Sequence, residues 1–291
     1  MFSEEIIDGF LCSEVNISNE RASEISGRKI GKYITVEIGK IWLKEYCEFK
    51  NAVDLVALKI KELADVSIGA DNLGKVSILI AGLGNTFITA DSIGPKALSK
   101  VLITRHLKQQ LGGLDNFGLI EMSGIAPGVL GQTGMETAEI ILSVAEKIKP
   151  SLVILIDALA SRKISRLATT IQLSNTGVKP GSGVGSNKHM IDSEFLGTPV
   201  ISIGVPLVID AASFSHDLFE EAHEYMNLTP NKHLTKEALK NMLEDFGGNF
   251  FITPNEIDLI INEVSKIIGY GINKCFHNNL SIEEMARIKN S

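Results

Sequence analysis

The sequence has little of what defines several protein classes. Its three cysteines, Cys12, Cys47 and Cys275, lie far apart and form no CxxC pair. That argues against a disulfide framework or a cysteine zinc site and implies reduced thiols. Basic residues number 28 against 35 acidic ones, leaving a net charge of -7. Without a basic excess, nucleic acid is not an expected partner, because phosphate binding needs a cationic face. No apolar run reaches the roughly 18–20 residues that span a bilayer. The amino terminus, Met1-Phe-Ser-Glu-Glu, is acidic where a signal peptide is basic. These absences lead to the expectation of a cytoplasmic chain with no membrane partner. Short catalytic signatures are missing too: there is no HExxH, no GxSxG and no Walker GK[ST].

What is present is a 291-residue chain with 44% hydrophobic residues, enough for a large core. Apolar runs at 76–82, 152–156, 169–173 and 199–203 have strand length, and β-type runs also occur at 33–37 and 41–43. Between them, helical spacing marks Val53, Val56, Ile60 and Leu63, a segment from about Pro95 to Gln109, and Thr137, Ile140, Ile141, Val144 and Ile148. Thr133-Gly-Met-Glu136 and Thr253-Pro-Asn-Glu256 read as capping boxes, the second before a stripe from Ile257 to Ile268. Ser281-Ile-Glu-Glu284 reads as the start of a short last helix. Apolar strands alternating with helices imply an α/β fold, a mixed and mostly parallel sheet with helices on both faces. One domain over 1–291 is expected, with residues 1–29 a loosely held arm.

Two aspartates follow predicted strands. The run 76–81 leads through Gly82-Leu-Gly-Asn85 to Asp91, and the run 152–156 leads directly into Asp157. Sites in open α/β sheets form outside the carboxyl ends of the strands, and two carboxyls meeting there can share a proton and activate water. Asp91 can equally cap a turn, since Asp favours such positions. The glycines at 82 and 84 do not make a dinucleotide fingerprint, because Phe87 stands where the third glycine belongs. They suit a tight turn at the edge of a cleft. The stretch 174–188, with Gly177, Gly181, Gly183 and Gly185, is either a plain loop or a set of backbone N–H groups for a peptide or oxyanion, with Lys179 and Lys188 adding charge. A metal site of Asp91, Asp157 and a histidine, His189 foremost, is the rival reading. A noncatalytic peptide-binding module is a third.

The segments Gly82-Leu-Gly-Asn-Thr-Phe-Ile-Thr-Ala-Asp-Ser-Ile-Gly-Pro95, Pro127-Gly-Val-Leu-Gly-Gln-Thr-Gly-Met-Glu-Thr137, Ile156-Asp-Ala-Leu-Ala-Ser-Arg162, Gly177-Val-Lys-Pro-Gly-Ser-Gly-Val-Gly185 and Gly197-Thr-Pro-Val-Ile-Ser-Ile-Gly-Val-Pro206 together resemble the spore germination protease family. The resemblance runs in order from about residue 76 to 212. It implies a sheet like that of hydrogenase maturation proteases and an endopeptidase, located in the spore core, that degrades small acid-soluble spore proteins. It also implies a homotetramer made as a self-processing zymogen, and no cofactor. The family's two proposed catalytic aspartates fall on Asp91 and Asp157. Asn85, Arg162, Gly181, Gly183 and Gly185 are the expected substrate-binding residues, with Arg162 facing an acidic substrate side chain. A propeptide is expected to end near Glu14 or after Glu24. The alternative is a metal-dependent maturation protease that grips nickel.

Overall fold

Three apolar runs become the centre of the sheet: β4 (Ser77–Gly82), β6 (Leu152–Ser161) and β8 (Val200–Asp210). Each is buried on both faces, which is why it reads as a nearly unbroken apolar stretch. The computed structural model describes residues 1–70, 76–110, 114, 118–181, 189–226, 235–246, 248, 250–277, 281 and 284. The remaining strands are β1 (Phe2–Ile7), β2 (Phe10–Ile17), β3 (Gly31–Glu37), β5 (Glu121–Ile125), β7 (Thr170–Ser174) and β9 (Phe251–Ile252). The helices are α1 (Glu20–Ser26), α2 (Tyr46–Ile68), α3 (Ile93–Leu98), α4 (Leu107–Gln110), α5 (Leu130–Thr133), α6 (Thr137–Ile148), α7 (Ser193–Leu196), α8 (Ala211–Tyr225), α9 (Lys236–Glu244) and α10 (Ile257–Phe276).

The strand order is β1-β2-β3-β7-β8-β6-β4-β5, with β9 also on β8. The pairs β4–β5, β4–β6 and β6–β8 are parallel; the others are antiparallel. The sheet is therefore mixed, with helices on both faces, as the alternation implies. Side chains alternate across it with period two. Ile78, Ile80, Ile154, Ile156, Ile201 and Ile203 pack with α2 and α10 on one face. Leu79, Ala81, Val153 and Leu155 pack with Ala138, Ile141 and Ala145 of α6 on the other.

The structure departs from the sequence reading at several places. Residues 2–17 are not a loose arm but the β1–β2 hairpin, and β2 pairs along its length with β3. Antiparallel pairing is more extensive for that reason. The run Ile41–Leu43 forms a 3-10 turn rather than a strand: Ile38 and Gly39 both donate their N–H to Thr169 O, and Gly39 turns the chain at φ 58°. The helix expected from 95 to 109 stops at Leu98. Buried Asn273 of α10 accepts from Leu102 N (2.8 Å) and donates to Lys100 O (3.0 Å), so these groups are satisfied outside any helix. Neither expected capping box forms. Thr253 Oγ1 donates to Leu207 O (2.9 Å), and Thr133 closes α5 before Gly134 at φ 70°. A cap is worth about 1 kcal/mol. Burying one Ile or Val is worth about 1.5–3 kcal/mol, so the buried stripe of α10 decides that helix without its cap. The helix expected from 281 falls mostly outside the described residues, although Ser281 and Glu284 exchange capping-box hydrogen bonds (2.7 and 3.1 Å).

A buried ion cluster fixes the hairpin to α2. Lys59 is only 2% exposed, and its Nζ donates to Glu5 of β1 (3.0 Å), Glu14 of β2 (2.8 Å) and Glu62 (3.0 Å). Lys32 of β3 also pairs with Glu14 (2.8 Å) and Glu62 (3.1 Å). Burial pushes the Glu14 carboxyl up, but hydrogen bonds from Lys32 and Lys59 outweigh it and hold the group below its usual 4.5. Burial pushes Lys59 down, and the three carboxylates outweigh that, raising it above its usual 10.5. Cys12 beside them is pushed up to about 11, chiefly by burial. Removing one partner of a buried pair leaves the others uncompensated. Lys59→Met should therefore cost about 3 kcal/mol in urea unfolding, the low end for such pairs because Glu5 and Glu62 stay partly solvated. Its pH dependence has a definite sign. The Glu14 contribution is full above pH 4.5 and fades as pH falls through its depressed folded value. The Lys59 contribution is full below pH 10.5 and fades only as pH rises beyond it. The stability gap between wild type and variant should be flat near neutrality and close in acid.

Candidate active site

The carboxyl ends of β4 and β6 are brought together by backbone bonding. Leu83 N donates to Ile156 O (2.8 Å), so the residue before Asp157 is tied to the turn that leads to Asp91. That turn folds back on itself. Asn85 N donates to Asp91 Oδ2 (2.8 Å), and Asp91 N to Ile88 O (2.9 Å). Two glycines permit this. A Cβ on Gly84, whose φ is +114°, would lie 1.9 Å from Asp91 O. A Cβ on Gly94, at the start of α3, would lie 2.2 Å from Leu83 O and 2.5 Å from Ile156 O. The Asp91 segment thus rests directly on both strand ends, backbone against backbone.

The result is a cleft of about 920 Å³ lined by Asp91, Asp157, Arg162, Lys179 and Gly181, among others. Asp157 is 5% exposed, and its Oδ1 accepts from its own neighbour Ala158 N (3.0 Å). Asp91 is half-buried. β6 runs on past Asp157 to Ser161, paired with β8, and delivers exposed Arg162 to the cleft rim. Asp157 therefore lies within β6 rather than after it, because the pairing with β8 continues beyond the apolar run. An acid sunk in one strand and a second held over its neighbour can jointly position and activate a water.

Of the other expected site residues, Gly181 lines the cleft, whereas Gly183 and Gly185 lie outside the described residues. Asn85 is not among the lining residues. Its Oδ1 accepts from Phe87 N (2.9 Å) and from Gln132 Nε2 (2.6 Å), which ties the Asp91 turn to α5. Among the described residues, the clusters of three metal-ligand side chains are Glu5 with Cys12 and Glu14, and His216 with Asp217 and Glu220. Neither contains Asp91 or Asp157, and His189 is an exposed residue outside the cleft lining.

Two charged lining residues escaped the sequence reading. Asp210 ends β8 as Asp157 follows the apolar run of β6, so the same strand-end rule would have found it; its Oδ1 caps α8 through Ser213 N (2.9 Å). Lys236 comes from α9, remote in sequence, and nothing in its neighbourhood signals a site.

The fold is a mixed α/β sheet with two aspartates lining a cleft beside its parallel strands. A family model described as germination protease matches residues 1–227. The germination protease of Clostridium perfringens is 39% identical over 96% of this chain and 88% of its own length. That of Caldanaerobacter subterraneus is 38% identical over 98% and 90%, and that of Bacillus cereus 35% over 94% and 85%. The chain belongs to the germination protease family, and it is accordingly a peptidase of spore germination. Among solved structures, the [NiFe] hydrogenase maturation protease HycI of Thermococcus kodakarensis aligns over 74% of this chain and 99% of its own, with 14% identity and a TM-score of 0.35.

Gly94→Ala tests the contact that seats Asp91. The three atoms its Cβ would meet, Leu83 O, Ile156 O and Leu83 N, are all backbone, so α3 must shift. The expected outcome is a loss of about 1–3 kcal/mol in thermal or urea unfolding. Peptidase activity should fall further than stability does, measured where the variant is still folded.

Proposed function

We propose that the chain is an endopeptidase that starts the breakdown of small acid-soluble spore proteins in the spore core, using Asp91 and Asp157 to activate water. The observation that carries this reading is the placement of both carboxyls on one cleft, beside the point where the parallel pairing of β4 and β6 ends at Gly82 and Ile156. One aspartate, ionised, takes a proton from the water as its oxygen attacks the scissile carbonyl. The other, protonated, hydrogen-bonds that carbonyl and supplies a proton to the leaving amine. The pair titrates as a unit. Arg162 faces an acidic side chain of the substrate, and the Gly181 backbone lies where it can hold the substrate chain. We assign Asn85 to positioning Asp91 rather than to binding substrate, because its side chain is engaged by Gln132.

The same reading includes self-processing and a homotetramer. Two cut points are available: Glu14, inside β2 and bound by Lys59 and Lys32, and Glu24, exposed on α1, a helix that buries no residue. Exposed Leu218, Phe219 and Tyr225 on α8 and Met242 on α9 form apolar surface that suits assembly.

Asp91→Asn and Asp157→Asn should each lower cleavage of a small acid-soluble spore protein by about 10²–10⁴-fold, with and without chelator. Their amino termini should stay uncut while the wild type is shortened, read by mass spectrometry, and sedimentation of the same samples reads the assembly. Retained activity in either variant, or loss on chelation, would sink the paired-aspartate mechanism. Arg162→Ala should leave the fold unchanged but shift cleavage away from acidic sites across a peptide library; an unchanged site preference removes that role.

A further inference from the structure

A second cavity, of about 970 Å³, lies on the other side of the projecting end of β6. Leu159, Ala160, Ser161 and Arg162 line both spaces. The segment after β7 also passes between them, with Gly177 and Val178 in the second cavity and Lys179 to Gly181 in the first. The floor of the second cavity is a row of strand partners in direct register. Asp157 pairs with Gly204, Gly204 with Gln172, Gln172 with Thr35, and Thr35 with Ser13. Register partners face the same side of a sheet. Leu159 lies over Gly204 beside Asp157, which belongs to the first cleft, so the polar track of the floor is Gln172, Thr35 and Ser13 on the antiparallel half. Two strand spacings make that track roughly 10 Å long, the reach of about three extended residues.

The rims of this track are basic, in a chain whose net charge is -7. Arg28 and Lys29 stand on one side, and Arg162, Lys163 and Arg166 on the other. Lys29 is engaged by Asp192 (2.5 Å), and Arg28 lies over the Tyr33 ring (5.2 Å to its centre), which leaves its N–H groups available. Among the described residues, Arg28, Arg162, Lys163 and Arg166 make no salt bridge. The turn that carries Lys163 and Arg166 is anchored: Ile164 N donates to Asp217 of α8 (2.8 Å), and Ser161 Oγ to Lys163 O (2.6 Å). Two acids also line the cavity, Glu37 and Glu4, the latter accepting from Ser13 Oγ (2.9 Å).

We propose that this groove is a second binding site, which holds an acidic stretch of the polypeptide substrate flanking the bond cut in the cleft. It rests on the protease reading above and extends it: the cleft chooses the bond, and the groove recruits chains with a negatively charged flank. Gln172 and Thr35, which remain after either amino-terminal cut, offer hydrogen bonds to an extended backbone, while exposed cations at the rim attract acidic side chains from a distance and lose force with salt.

The test uses the triple variant Arg28→Glu, Lys163→Glu and Arg166→Glu, which leaves every cleft residue in place. Fluorescence polarisation of a labelled oligoglutamate on an otherwise inactive Asp157→Asn background should show binding weakened about ten-fold by the triple change, and by added salt. In the active background, KM for a full-length acidic protein substrate should rise by a similar factor with kcat unchanged. A short peptide carrying the cut site alone should be cleaved as by wild type, which also reports that the variant is folded. Oligoglutamate binding that ignores the triple change, or KM values for long and short substrates that move together, would overturn the proposal. Oligoglutamate bound as expected by a wild-type chain that cleaves nothing would keep the groove and overturn the protease reading instead.

Discussion

The active-site region depends on one close contact, the seating of the Asp91 turn against the backbone at the ends of β4 and β6. Gly84 and Gly94 have no Cβ, and nothing larger fits over Asp91 O or between Leu83 O and Ile156 O. The contact places one carboxyl above a strand end while the other rises from the neighbouring strand. It also fixes α3 against the sheet, and α3 in turn packs with α10 on the same face as α2. The position of Asp91 and core packing are therefore coupled, and the turn has no freedom to drift without disturbing the layer beneath it.

The two halves of the sheet divide the work. The parallel half is covered on both faces, and two acids of the cleft come from within β6 and from the turn after β4. The antiparallel half is covered on the α2 face by Cys12, Ile34, Val36, Ile171 and Leu173, while its other face presents Ser13, Thr35, Gln172 and Ser174. The alternation that stabilises the sheet thus leaves a polar surface beside the cleft. Charge rather than burial distinguishes that surface, since its cations come from the turns at either end and not from the strands.

The parallel strands were legible because burial on both faces leaves an unbroken apolar run, and the long helices because their stripes repeat at helical spacing. The place of Asp157 on the cleft lining was legible for a related reason, as an acid directly after five apolar residues has few structural uses, although β6 runs on past it to Ser161. Residues 1–29 misled because a hairpin at the edge of a sheet buries only alternate side chains, Phe10, Cys12 and Ile17 in β2, among many charged ones. The break after Leu98 was illegible because its cause, Asn273, lies more than a hundred residues away and acts through hydrogen bonds to backbone. Both capping boxes failed for a similar reason, since tertiary packing set where the helices began. Lys236 shows the same limit at the cleft, where a lysine on a mostly exposed helix joins the lining only by where that helix docks.

The Lys59 cluster bears on what happens to the sheet if the first two strands are lost. Glu5 and Glu14 would leave with them, and a lysine sunk in the protein would keep Glu62 as its one remaining carboxylate in the cluster. At the same time β3 would exchange its partner for water along the whole run from Gly31 to Glu37 and become the edge of the sheet. An open edge presents unpaired N–H and C=O groups that accept another strand. The hairpin is thus a stopper on strand addition, and the charge beneath it keeps the stopper in place.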